Sequence, residues 1–143
     1  MDDAPLRAEI FAAFAESGRA PVKQLVARWA GGEREAEAAL RRLHDAHALV
    51  LDDAGDIRMA LPFSAVETEH RVVADDRSWW ANCAWDALAI PAALDTDARI
   101  EARWLDSDEP VDLAIVDGHP SSLEGFVHFA VPTRRWWDDI VES

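Results

Sequence analysis

Cysteine is nearly missing from this 143-residue chain: Cys83 stands alone. A lone thiol excludes an intrachain disulfide and any multi-thiolate metal site built within one chain. Tyrosine is absent altogether. No run approaches the ~18 apolar residues needed to span a bilayer. No basic segment followed by an apolar one opens the chain, so a cytoplasmic protein without a signal peptide is expected. Positive charge is scarce too: 14 Lys and Arg face 28 Asp and Glu, a formal −14. The shortfall is uneven, with 8 basic against 11 acidic residues up to position 60, and 6 against 17 after it. A field of that sign repels phosphate backbones and anionic lipid heads, which disfavours nucleic acid and membranes as partners. There is no phosphate-cradling glycine-rich loop, no internal repeat and no low-complexity tract.

What is present suffices for a core. Half the residues are apolar, and the length fits one compact unit or two very small ones. Leu6, Ile10, Phe11 and Phe14 fall on one helical stripe, and Gly18 stands where such a helix stops. Pro21 opens a second short helix carrying Val22, Leu25, Val26 and Trp29, which Gly31-Gly32 breaks. A third runs from about Glu33, with Ala36, Leu40, Leu43 and Ala46 or His47 toward the core. Ala48–Leu51, the turn Asp53–Asp56 and Ile57–Met59 then read as a hairpin, Gly55 supplying the positive φ such a turn needs. Three helices and a hairpin is a winged-helix-like order, so residues 1–60 are expected to form one module. Its candidate reading helix carries Arg34, Arg41 and Arg42, but also Glu33, Glu35, Glu37 and Asp45. A helix that reads DNA offers an excess of Arg, Lys, Asn or Gln, so a structural role is favoured.

Leu61-Pro62-Phe63-Ser64 reads as a linker, and residues 61–143 as a second, α+β unit: a small mixed sheet with one apolar helix. Strands are expected at Glu69–Val73, Ala98–Trp104, Val111–Val116 and Phe126–Val131. Asp75-Asp76 and Asp117-Gly118 serve as turns, and Ser78–Leu94 reads as the helix, bent or ended by Pro91. Thr133 is placed to cap a last helical turn through Ile140.

Chemistry is suggested in one stretch, Trp79–Pro91. With a helix starting between Ser78 and Asn82, Cys83 falls near its first turn, where unpaired N–H groups and the helix dipole favour a thiolate. Asp86, three residues on, shares that face and can hold or deliver a proton. A nearby carboxylate also raises a thiol pKa, so a thiolate there needs the helix terminus, a cation or a bound metal. The alternative is plain packing, since free cysteine behaves as a small buried hydrophobe.

Pro62–Val66, then Cys83-Ala84-Trp85-Asp86-Ala87-Leu88 with Pro91 and Leu94, followed by Ala98–Glu101, resemble the organomercurial (alkylmercury) lyase family over roughly residues 62–141. The winged-helix-like module preceding them matches the arrangement at the N-terminus of those lyases. The resemblance implies protonolysis of a carbon–mercury bond without a cofactor. Cys83 would be the first ligand of substrate mercury and Asp86 the proton carrier. Mercury is soft and prefers two thiolates. In the family a second cysteine completes capture, beyond the stretch similar to Trp136–Ile140; this chain stops at about that point. Turnover by the chain as given is then expected to draw a thiol from solution or from another subunit. A sheet edge left open there is one that a homodimer would cover.

Two alternatives stand beside the lyase: a non-catalytic relative holding a soft metal or apolar molecule at Cys83, and a winged-helix regulator that senses such a ligand. His119 and His128 with Asp112, Asp117 and Glu124 are weaker candidates for a metal site; His128 reads more simply as a core histidine. His44 and His47 lie three apart on the third helix. Trp79-Trp80 and Trp136-Trp137 read as packing, or as walls of an apolar pocket over Cys83. The pairs Asp52-Asp53, Asp75-Asp76 and Asp138-Asp139 read as solvated turns and helix ends.

Overall fold

The apolar stripe of the first helix does what its period demands. In the computed structural model, which describes residues 2–141, α1 spans Ala4–Ser17 and buries Leu6, Ile10 and Phe14. Gly18 ends it at φ 71°, in the left-handed region. An added Cβ there would meet the carbonyl oxygen of Ser78. Gly18→Ala is therefore expected to cost about 1–3 kcal/mol from the backbone conformation alone, before the collision is counted. A urea unfolding curve measures it.

α2 (Lys23–Ala30) and α3 (Glu33–Asp45) follow, burying Val26 and Ala36, Ala39 and Leu43. Val22, expected on the second helix, and Ala46 or His47, expected toward the core, are placed otherwise. Val22 precedes α2 and is 64% exposed, while Ala46 and His47 lie beyond the end of α3 and are exposed. Once the helix stops, its 3.6-residue period no longer dictates which way a side chain faces. Asp3 and Arg42 clamp α1 to α3 through two hydrogen bonds of 2.8 Å.

The hairpin forms as expected from β1 (Val50–Leu51) and β2 (Ile57–Ala60). Residues 61–64 do not link two separate sheets. Phe63-Ser64 is β3, paired with β2 on one side and with Trp80-Ala81 on the other. Proline stands in the connection, where its missing N–H costs no ladder bond. Phe63 is fully buried and stacks on Phe14 at 5.6 Å and against Phe11 at 5.2 Å. Phe63→Ala is expected to destabilise the protein by about 3–5 kcal/mol, read as a lower thermal midpoint.

β4 (His70–Ala74) and β5 (Arg77–Ala81) form a hairpin around Asp75-Asp76, where the structure departs from the long helix expected over Ser78–Leu94. Bulky side chains in Ser78-Trp79-Trp80 suit a pleated surface, and alternation sorts them. Trp79 is buried with its indole N–H on the Ala15 carbonyl (3.0 Å), whereas Trp80 lies on the other face under Arg71. The helix is only the second part of that stretch, α4 (Ala84–Leu94). Pro91 lies inside it and does not end it; the chain turns out at Asp95, whose N–H bonds the Pro91 carbonyl.

β6 (Ala98–Arg103), β7 (Pro110–Val116) and β8 (His119–Pro120) complete one antiparallel sheet of order β1-β2-β3-β5-β4-β6-β7-β8. α1 packs on β5 and β2, and α4 on β4, β5 and β6, so a single apolar core runs from Leu6 to Ile115. No strand forms at Phe126–Val131: Phe126 is 99% exposed, and His128 is exposed rather than in the core. Among the described residues no strand pairs with that segment, and alternation without a partner makes no ladder. A 3₁₀ turn at Thr133–Asp138 takes the place of the last helical turn. No helix among the described residues is long and apolar enough to cross a membrane.

Candidate functional site around Cys83 and Asp86

β5 ends at Ala81 and α4 begins at Ala84, so Asn82 and Cys83 form the elbow between sheet and helix. Cys83 is the N-cap residue, in extended conformation and half-buried. Its carbonyl accepts the Ala87 N–H at 3.0 Å, which opens the helix. Its thiol forms no capping hydrogen bond, yet it meets the field of the first turn. Burial pushes the thiol pKa up; the N–H groups of Asp86 and Trp85 pull it down; the Asp86 carboxyl raises it again. Burial leads, so the free site holds a thiol that a soft electrophile must ionise.

Asp86 lies one turn into the helix on the same side, half-buried, and interacts with Cys83. Burial raises its pKa, and hydrogen bonding to Asn82 and Cys83 opposes that rise. Asn82 Nδ2 donates to Asp86 Oδ2 at 3.0 Å and to the Phe63 and Pro62 carbonyls at 3.2 and 3.3 Å. A carboxyl beside a thiol can, when protonated, give its proton to a group held on sulfur, and a raised pKa widens the pH range in which it is protonated. The sequence placed Cys83 and Asp86 together by spacing, and the structure brings them together. Spacing gave no role to Asn82; its polar side chain next to an apolar strand was the available signal.

The other candidates do not converge. Among the described residues no three of His, Cys, Asp and Glu could hold a metal ion. His119, His128, Asp112, Asp117 and Glu124 are all exposed along β7, β8 and the segment after them. His44 Nδ1 accepts the Leu51 N–H at 3.0 Å, so it ties α3 to the hairpin. His47 stacks on Trp137 at 4.0 Å, away from α4. Of the tryptophans offered as pocket walls, Trp136 packs on Phe129 (5.1 Å), which in turn meets Trp85 (6.3 Å), the neighbour of Asp86. The acidic pairs lie in exposed turns, Asp52 bonding the Ala54 and Asp56 N–H groups and Asp138 pairing with Arg135.

A family model described as alkylmercury lyase (MerB) matches residues 63–143. Among solved structures, the crystal structure of the mercury-bound form of MerB2 superposes with a TM-score of 0.64 at 21% identity, covering 84% of this chain. This chain spans 58% of that one. The likeness shows a shared fold of helices with an antiparallel sheet. No curated protein matches.

Proposed function

This chain belongs to the alkylmercury lyase family, and from that premise we propose that it cleaves carbon–mercury bonds with Cys83 as the thiolate ligand and Asp86 as the proton carrier. One observation carries the reading: the only thiol of the sequence caps a helix whose first turn holds a half-buried carboxyl, its pKa raised, that interacts with it. Cys83 displaces a ligand X from R–Hg–X, giving Cys83-S–Hg–R and HX. The Asp86 proton then passes to the carbon as the C–Hg electron pair closes on it, leaving RH, a carboxylate and Cys83-S–Hg⁺. A thiolate from solution takes the second position on Hg(II), which favours two sulfur ligands, and a further thiolate exchanges the metal off Cys83.

Single-turnover release of hydrocarbon from an organomercurial, with and without excess small-molecule thiol, tests this. Release that thiol accelerates supports the lyase. A second reading, capture without cleavage, draws on Cys83 being the single thiol; stoichiometric mercury uptake with no hydrocarbon supports it and overturns the first.

Residues 1–60 serve this site as scaffold rather than as a DNA reader. Their helix order is winged-helix-like, but Arg42 of the candidate reading helix is bound to Asp3, and the whole chain is acidic. A gel shift that weakens steeply with salt would revive the regulator.

A further inference from the structure

Asn82 makes more contacts than a connecting residue needs. Its Nδ2 carries two hydrogens and faces three acceptors, at 3.0 Å on Asp86 and at 3.2 and 3.3 Å on the Phe63 and Pro62 carbonyls. Two hydrogens among three acceptors leave one for Asp86 and one shared between the carbonyls. A flipped amide would set Oδ1 against those three oxygens, so the acceptors dictate its orientation. Oδ1 itself is buried and has no partner among the described residues. The side chain thus leaves its acceptor unused in order to place its donors. It joins the functional carboxyl to the β2–β3 connection, an element distant in sequence.

We propose that Asn82 is a positioning residue for the protonation step: it pins Asp86 Oδ2, so that the proton rides on Oδ1, the oxygen that delivers it to the carbon of the Cys83-bound mercurial. This rests on the lyase reading. A neutral carboxyl has one hydrogen, and an oxygen already receiving an N–H is the poorer place for it. As the C–Hg bond breaks and its electron pair takes the proton, the carboxylate left behind spreads charge onto Oδ2, where the Asn82 N–H already stands. No electrons change hands beyond that pair.

The test separates capture from release in single turnovers of phenylmercury with excess thiol, for wild type, Asn82→Ala, Asp86→Asn and the double variant. Asn82→Ala is expected to capture mercurial at the wild-type rate and to release benzene about 100-fold more slowly, the scale of a misplaced reacting group. The double variant should be no slower than Asp86→Asn, because Asn82 acts through Asp86. Capture and release falling in step would signify a merely structural role, and additive losses would signify an independent one; either overturns the proposal. If the wild type captures and releases nothing, the lyase reading fails. The Asn82 assignment is then decided by the ¹⁵N side-chain amide resonances of Asn82 in Asp86→Ala. These shift if the amide is committed to Asp86, and unmoved resonances overturn it. The same spectra decide the matter if Asn82→Ala does not fold.

Discussion

Cys83→Ser is expected to abolish mercurial capture and, with it, hydrocarbon release. Serine keeps the size and the place at the head of α4, so the fold should be unchanged. What it loses is softness. A hydroxyl oxygen is a hard ligand that stays protonated near neutral pH, and Hg(II) discriminates strongly for sulfur. No other thiol in the sequence can substitute. Mercury bound per protein, read by metal analysis after gel filtration, should fall from one equivalent to background while the thermal midpoint holds. A Cys83→Ser variant that still released hydrocarbon would place the chemistry elsewhere and sink the proposed function.

Asp86→Asn separates the two halves of the reaction. Capture is expected to persist and release to fall by roughly 10²–10⁴-fold, the range of a positioned general acid. The pH dependence distinguishes this from damage to the fold. Burial raises the Asp86 pKa, so the carboxyl keeps its proton above the ordinary carboxylate range. Release should therefore decline as pH rises through that raised value. Burial also raises the Cys83 pKa, so capture should quicken as pH climbs toward it. Wild type is expected to show both limbs, titrating as a coupled pair. Asp86→Asn should keep the rising capture limb and lose the falling one.

Stability points the same way. A carboxyl whose pKa is raised on folding stabilises the protein below its unfolded value of about 3.8, and that contribution is lost as pH rises through the folded value. Above that folded value, where Asp86 is a carboxylate, the substitution should then leave the thermal midpoint level or higher. A large fall would mean that Asp86 is held for structure rather than for chemistry.

The places where the sequence misled share a cause. Arg77–Ala81 alternates over five residues, too few to stand out from the apolar helix that follows. Whether such a run becomes strand or helix was decided by β4 pairing along its whole length. Phe126–Val131 has the reverse history: its composition suits a strand, but among the described residues no strand pairs with it. Phe63-Ser64 reads as a linker after Pro62, yet two neighbours claim its backbone. Pairing between two segments cannot be read from either one alone.

The sequence by itself determined the chemistry on offer. It holds one thiol, a carboxyl three residues later, glycines that stop α1 and α2, and an excess of acid. These follow from residue type and local spacing, because a helix sets its own period and a formal charge needs no partner. Only the tertiary structure decided what that carboxyl is. Asp86 owes its raised pKa to burial and its orientation to Asn82, which is itself anchored on the carbonyls of Pro62 and Phe63 some twenty residues away. Desolvation and hydrogen bonding depend on what the rest of the chain brings alongside, and no spacing within Cys83–Asp86 encodes that.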